Sequence, residues 1–143
     1  MDAPAAARIF TSMSQTNKNI IYAGIDVAKR TLALDGPGGR WQLTNEPSGH
    51  GGVVKLLGKS IEPVHVIVEA SGGYEQALVC ALHEAQLRVS VVEPGRVRAF
   101  ARAKGLRAKT DPIDAGVLRA FGQAIQPEPT LPPSQEQLRL GEL

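Results

Sequence analysis

Residues 19–27 read NIIYAGIDV, a short run of apolar and β-branched side chains that is typical of a buried strand. Asp26 lies near the end of this run, where an unpaired carboxylate would be costly to bury. A second run, VHVIVE at residues 64–69, has the same character and ends in Glu69. If both strands are central and adjacent in one sheet, the two carboxylates emerge at neighbouring positions.

The segments around these two runs predict a mixed α/β sheet of five strands. A cluster of glycine and proline at residues 36–39 is a strong turn signal, so the strands beside it join the first strand in an antiparallel meander. Strands alternate with helices in the second half of the chain, which favours parallel crossovers and helices on the faces of the sheet. The predicted strands are 19–27, 31–35, 40–43, 64–69 and 87–92, and the predicted helices are 47–59, 74–86, 96–104 and 111–125.

Two further carboxylates stand in the stretch KTDPIDA, residues 109–115, at the predicted opening of the last helix. Asp111 and Asp114 are three residues apart, and a helix brings such positions onto one face. Two anions held together repel each other unless a cation lies between them. Oxygen ligands without cysteine or clustered histidine suit Mg²⁺ or Mn²⁺. With Asp26 and Glu69, the pair therefore predicts a divalent metal site, in which two ions about 4 Å apart can hold both oxygens of a phosphodiester displacement.

Each acid also has a purely structural interpretation. Asp26 can pair with Lys29 or Arg30 at the end of its strand, and Glu69 can cap the turn at Ser71. On the residues alone, these interpretations stay open beside the metal site.

The aspartates of the last helix have a structural alternative as well. Asp111 is a good N-cap, because Pro112 follows it at the favoured first helical position. Asp114 would then lie in the first turn, where the helix dipole favours a negative charge. The pair is therefore compatible with a plain helix start as well as with a metal site.

A run of cations precedes the two aspartates. Residues 95–110 carry no Asp or Glu and contain Arg96, Arg98, Arg102, Lys104, Arg107 and Lys109. The spacing alone fits a solvated helix face, whereas the position next to the aspartates favours contact with nucleic-acid phosphates. The formal net charge of +2 does not by itself identify such a partner.

The composition limits the class of protein. The 143 residues are 43% hydrophobic, enough for one domain with a real core. The single cysteine, Cys80, excludes an internal disulfide framework and a cysteine-based metal cluster, and its apolar helical surroundings predict a buried thiol. The three histidines are scattered without ligand spacing. No signal-peptide core and no apolar run of about 20 residues is present, so we expect a soluble intracellular protein.

Three regions are expected along the chain. Residues 1–19 are polar and predict a flexible leader, and residues 20–125 form the domain. Residues 126–143 begin with four prolines that indicate a stiff, extended linker. Ser134 then opens a new helix that stops almost at once, so this region is interpreted as the start of a truncated next segment.

The motifs together resemble a known family, the DEDD transposases of bacterial insertion sequences. This family is related to the Piv DNA invertase and is often called the "IS one-ten" group. The resemblance runs from about residue 20 to residue 125. It is carried by GIDVAK at 24–29, EASGGYE at 69–75, VVEP at 91–94, RVRAFARA at 96–103 and KTDPIDA at 109–115.

The resemblance implies a RuvC-like domain of the RNase H superfamily in which Asp26, Glu69, Asp111 and Asp114 are catalytic and bind two divalent ions. It further implies DNA recombination by strand cleavage and rejoining, with homo-oligomers acting on paired DNA ends and a structured RNA from the element helping to choose sites. A cytoplasmic, DNA-associated bacterial protein without membrane contact is expected. Pro112 departs from the charged or larger residue of many members, and the family's second, serine-bearing domain is not in this sequence.

Other functions remain compatible with the sequence. A truncated chain can act as a non-catalytic nucleic-acid-binding or dimerisation module, and the same fold serves structure-specific nucleases of the RuvC type. Phosphotransferases of the actin and sugar-kinase superfamily also carry a Gly-Ile-Asp pattern on their first strand. They need Gly-rich phosphate loops, which this sequence lacks.

Overall fold

The order of strands and helices follows the predicted one. The computed structural model describes residues 19–106 and 113–133. Its elements are β1 (Ile21–Val27), β2 (Thr31–Gly36), β3 (Gly39–Thr44), α1 (Pro47–Leu57), β4 (Val64–Glu69), α2 (Gln76–Glu84), β5 (Arg88–Val92), α3 (Pro94–Ala103) and α4 (Ala115–Ile125). Within these two ranges no helix is long and apolar enough to cross a membrane.

The five strands form one mixed sheet in the order β3-β2-β1-β4-β5. β1, β2 and β3 are an antiparallel meander, whereas β4 and β5 run parallel to β1. β1 lies at the centre, and its register with β4 pairs Ile25 with Val68. Asp26 and Glu69 are each one residue beyond that pair, so the prediction that the two strands are adjacent is confirmed.

Helices cover both faces of the sheet, as predicted. One face carries residues such as Ile25 and Leu34, which pack with Val53 of α1 and Leu78 of α2. On the other face, Tyr22 and Ile67 pack with the buried side chains of α3 and α4, which are Val97, Ala101, Val117, Leu118 and Phe121. The site residues lie on the second face, at the carboxyl ends of β1 and β4.

A glycine in β1 brings α4 into close contact with the sheet. A Cβ on Gly24 would collide with the backbone oxygen of Ala115 and would lie 2.7 Å from the Arg119 nitrogen. On the same helix, a Cβ on Gly122 would lie 2.6 Å from the Tyr22 ring. The missing side chains let two backbones approach each other, so the start of α4 lies beside the end of β1.

A charged side chain fixes α4 against the first two strands. Nε of Arg119 donates a hydrogen bond of 2.7 Å to the Tyr22 carbonyl of β1. Nη1 donates to Asp35 Oδ1 at 3.1 Å and to the Gly36 carbonyl at 3.2 Å in β2. Arg40 contacts the other oxygen of Asp35 through its Nε, at 3.2 Å. The buried Asp35 carboxylate is therefore paired from both sides.

Three helices begin at other residues than predicted, and the first of them, α2, begins at Gln76 rather than residue 74. α3 begins at Pro94 rather than Arg96, because proline fits the first helical position, where its missing N–H is not needed. α4 begins at Ala115 rather than Asp111, and its N-cap is Asp114, whose side chain accepts a 2.9 Å hydrogen bond from the Val117 amide. The predicted start of the helix at Asp111 is therefore wrong, since Asp114 precedes the helix. Asp111 itself lies outside the described residues.

Cys80 is exposed, so the predicted buried thiol is wrong. α2 buries Leu78 and Leu82, and a residue midway between them in sequence points to the other side of the helix. The residues on both sides of Cys80 in sequence are apolar, so their pattern does not show which side of α2 faces the core.

The segment after α4 does not leave the domain at once. Pro127 is buried, and the Thr130 amide donates a 2.7 Å hydrogen bond to the Val89 carbonyl of β5. The Val91 amide donates in turn to the Thr130 hydroxyl at 2.9 Å. These bonds satisfy part of the open edge of β5, so the described part of the predicted linker, 126–133, lies along the sheet. The predicted helix at Ser134 and the leader, apart from Asn19, lie outside the described residues.

A buried histidine joins β4 to this segment. His65 is 2% exposed and stacks on Tyr22, with ring centroids 5.2 Å apart. Its Nε2 lies 2.7 Å from the Ser90 hydroxyl, which donates to the Glu128 carbonyl at 2.7 Å. Since that hydroxyl proton is used, Nε2–H of the neutral ring must be the donor to Ser90. Burial, assisted by the positive charge of Arg88, lowers the pKa of His65 to about 4.

Folding stability should therefore fall as the pH drops below neutrality. The unfolded chain takes up a proton on His65 near pH 6.5 and the folded chain only near pH 4, so acid favours the unfolded state within this window. We expect a loss of roughly 2 kcal/mol between pH 7 and pH 5 from this residue. Urea unfolding at both pH values measures it. The variant His65→Gln keeps an N–H donor and should show a pH dependence smaller by that amount; an unchanged dependence would contradict the assignment.

Candidate metal centre and nucleic-acid interface

Three carboxylates converge where β1 and β4 end. Asp26 and Glu69 lie on the α4 side of the sheet, and Asp114 lies at the start of the helix that crosses it. Loss of hydration raises the pKa of Asp26, and the negative charge of Asp114 raises it further. Burial also raises the pKa of Glu69, with Asp26 adding to the effect. Asp26 is therefore close enough to both Asp114 and Glu69 for their negative charges to repel it.

The basic helix α3 reaches the same place. The charge of Arg98 opposes the other two influences on Glu69 and acts to lower its pKa, which puts the guanidinium within electrostatic range of the carboxylates. Arg98, Arg102 and Lys104 are exposed. Arg96 has a second contact, because its guanidinium carbon lies 5.3 Å from the centre of the Phe121 ring and braces α3 against α4. Arg107 and Lys109 lie outside the described residues.

The carboxylates are not arranged as a closed coordination sphere. Among residues 19–106 and 113–133, no three His, Cys, Asp or Glu side chains form a group that could hold a metal ion. Asp114 Oδ1 accepts the capping hydrogen bond, and the fourth predicted ligand, Asp111, falls outside these ranges. The donors present are all carboxylate oxygens that repel one another, and this chemistry fits a hard divalent cation.

Asp26 and Glu69 do not have the structural roles that their sequence context allows, whereas Asp114 has one. In the described part of the chain, neither Lys29 nor Arg30 forms an ion pair with Asp26. The turn at Ser71 is not capped by Glu69. Of the structural roles, only helix capping holds for Asp114, which is the N-cap itself rather than a first-turn residue.

Glu75 fills the capping role that was predicted for Glu69. Its Oε1 accepts hydrogen bonds from the Ser71 amide at 3.0 Å, the Ser71 hydroxyl at 2.9 Å and the Gly73 amide at 3.1 Å. Burial acts to raise the pKa of Glu75, but these bonds outweigh it and hold the pKa below its ordinary value. Sequence reasoning missed this residue, although a glutamate four residues after a serine in a Gly-Gly turn is a recognisable signal. Because Glu75 caps the turn, Glu69 has no structural partner there.

This sheet, with helices on both faces and acids at the ends of its two central strands, defines a RuvC-like domain of the RNase H-like class. The RuvC protein of T. thermophilus, solved in complex with a Holliday junction substrate, has this fold, with a TM-score of 0.54 at 18% identity over 78% of this chain and 99% of that one. The family model described as "Transposase", for DEDD transposases of the IS one-ten group, matches residues 23–143. The chain belongs to this family, whose members generally use divalent metal ions.

Two curated relatives support the same family. Pilin gene-inverting proteins of Moraxella lacunata and Moraxella bovis are each 30% identical to this chain over 126 residues. The alignment covers 83% of this chain but only 39% of each relative. The chain thus spans well under half the length of the curated relatives that it matches.

Proposed function

We propose that this chain is the metal-binding catalytic domain of a DNA transposase, acting in strand cleavage and transfer. The observation that supports it most is that Asp26 and Glu69 end adjacent strands on the α4 side of the sheet, with Asp114 at the start of α4 within electrostatic range of Asp26. The chain belongs to a transposase family, and this membership indicates the class of reaction. The pilin-inverting relatives, whose name describes inversion of a gene, agree with a DNA rearrangement.

In this proposal the four acids hold Mg²⁺ or Mn²⁺, two ions in the complete site. Asp26 and Glu69 provide oxygens from the strand ends, and Asp111 and Asp114 provide them from the segment before α4. Bound divalent ions supply charge stabilisation for the attacking and leaving oxygens of a phosphodiester. The protein keeps Asp26 close to Glu69 and Asp114 in spite of the repulsion between their charges.

The partners are also part of the proposal. Arg98 and its exposed neighbours on α3 would hold DNA through its phosphates, next to the carboxylates. A structured RNA from the element would choose the sites, and several copies would act together on paired DNA ends. These two partners follow from the family resemblance, and the size of the curated relatives leaves room for further domains that serve them.

Removing one carboxylate should weaken metal binding strongly without harming the fold. We expect Asp26→Asn to weaken Mn²⁺ binding at least tenfold, since a carboxylate ligand becomes a neutral amide. Without metal, the variant should be slightly more stable than wild type, because the raised pKa of Asp26 shows that its charge is unfavourable in the folded state. Titration calorimetry with Mn²⁺ and thermal unfolding in EDTA measure the two effects. Glu62→Gln, at an exposed loop position, is the matched control.

Equal Mn²⁺ affinity in wild type and in Asp26→Asn would remove the metal site from the proposal. Cleavage of branched and supercoiled DNA separates a catalytic domain from a module that only binds. Metal-dependent cleavage supports the catalytic domain or a RuvC-like nuclease, whereas nucleic-acid binding without cleavage supports the non-catalytic alternative.

A further inference from the structure

On the α4 side of the sheet, the described helices leave most of β2 and β3, the open half of this side, without apolar cover. α3 and α4 form their apolar cluster with β1, β4 and β5 and with no residue of β2 or β3. α4 contacts β2 through the polar bonds of Arg119 to Asp35 and Gly36. The strand register shows which side chains of these two strands share the face. Asp26 pairs with Ala33, which pairs with Gln42, and Thr31 pairs with Thr44. Directly opposite residues point to the same side of a sheet, so a row of positions extends from Asp26 across the open half.

The open half is polar apart from one alanine. We call it the polar shelf, and its residues are Thr31, Ala33, Arg40, Gln42 and Thr44. All of them are exposed except Ala33, which is partly buried. The opposite face of the same strands carries Leu32, Leu34, Trp41 and Leu43 against the core. This strict alternation shows that the shelf is not built to receive an apolar helix, since such packing needs apolar surface.

The shelf leads directly to the carboxylates. An open depression of about 480 Å³ lies between it and the start of α4, lined by Arg40, Gln42, Asp114 and Gly116. A Cβ placed on Gly116 would lie 3.3 Å from Asp114 Oδ1 and 3.8 Å from an Arg40 Nη atom. The same Cβ would lie 3.3 Å from Asp35 Oδ2, so the guanidinium of Arg40 and the carboxylates of Asp114 and Asp35 all lie near this one small glycine.

The charge of the shelf favours an anion. The Arg40 side chain is 82% exposed although its Nε holds Asp35. Asp35 is 8% exposed and is neutralised by both arginines, so it presents little negative charge to solvent. Lys29 and Arg30 are exposed in the turn between β1 and β2, next to the end of the shelf. Cations therefore flank the carboxylates on two sides, with the shelf on one and α3 on the other.

We propose that the polar shelf binds the phosphodiester backbone of the nucleic-acid strand that enters the carboxylate site. Arg40 provides the charge, and Gln42 and Thr44 provide neutral hydrogen-bond donors to phosphate oxygens. Contacts of this kind fix the position of a strand without reading its sequence. The inference rests on the proposed function and adds to it the direction from which the strand arrives, across β2 and β3.

The test uses the full chain and a labelled single strand, as DNA and as RNA of the same sequence. Fluorescence anisotropy gives the Kd at several salt concentrations. Gln42→Glu should weaken binding roughly fivefold or more, because it places a negative charge beside the phosphates. Arg40→Gln should lower the salt slope by about 0.7, the value of one phosphate contact in a single strand. The matched controls, Gln76→Glu on α2 and Lys55→Gln on α1, are exposed on helices of the other face.

Arg98→Gln on α3 separates this inference from the proposed function. If wild type binds and only the α3 variant is weaker, with both shelf variants equal to their controls, the shelf inference is wrong and the proposed function stands. If wild type binds neither strand, the proposed function fails first. Weakening by the shelf variants with either nucleic acid supports the inference, and the strand that responds identifies whether DNA or RNA lies on the shelf. Circular dichroism of every variant confirms that the fold is retained.

Discussion

Replacing Gly24 by alanine is expected to cost about 3 kcal/mol of folding stability, the upper part of the range for overpacking. The new Cβ would meet the backbone oxygen of Ala115, and it would also lie 2.7 Å from the Arg119 nitrogen and 2.9 Å from the Leu118 Cβ. Two of these three atoms are backbone, which cannot move away as the tip of a flexible side chain can. To relieve the clash, α4 must shift away from β1, and this shift carries Asp114 away from Asp26.

The matched control is Gly51→Ala, the same substitution in α1. A Cβ at Gly51 would have no heavy atom within 4 Å, so the change removes only the flexibility of glycine in a helix. It should stabilise the protein by about 0.5–1 kcal/mol. Urea unfolding of both variants measures the two effects, which have opposite signs. A Gly24→Ala protein as stable as wild type would mean that the contact between α4 and β1 is looser than described.

Much of this fold could be predicted because its strands are local patterns. The β-branched runs at 19–27 and 64–69 identify two buried strands, and the acid at the end of each marks them as unusual. Their adjacency is confirmed by the register of β1 with β4. The metal-binding roles of Asp26, Glu69, Asp111 and Asp114 stay predictions, because ligand geometry depends on side-chain positions that no pattern encodes.

The errors have physical reasons. Asp111 and Asp114 are both good N-caps by sequence, and the structure uses Asp114, at the end of α4 that lies against Gly24. Cys80 was assigned to the core because hydrophobic residues surround it on both sides. The contact of the Thr130 segment with β5 has no sequence signal, because an extended proline-rich chain fits a linker and the edge of a sheet equally well.

The ion pair between Asp35 and Arg119 had no sequence signal, since its partners are 84 residues apart. We expect Arg119→Met to destabilise the protein by about 3 kcal/mol, because breaking a buried pair leaves its partner without full compensation. Methionine keeps most of the length of the side chain, so the loss reports the ion pair and the hydrogen bonds to the Tyr22 and Gly36 carbonyls. Urea unfolding measures the change, and the double variant with Asp35→Asn measures the coupling.

Arg40→Met is the matched control for this prediction, because Arg40 contacts the same Asp35 carboxylate from the solvent-exposed side. Its side chain is 82% exposed, against 27% for Arg119, and water screens the exposed pair. The expected cost is therefore under about 1 kcal/mol. Equal losses of stability for the two variants would show that Asp35 needs only the total positive charge beside it. They would contradict a special role for its contact with Arg119. A larger loss for Arg119→Met would show that Arg119 holds α4 in place. Arg40 could then contribute to the polar shelf at little cost to the folding stability.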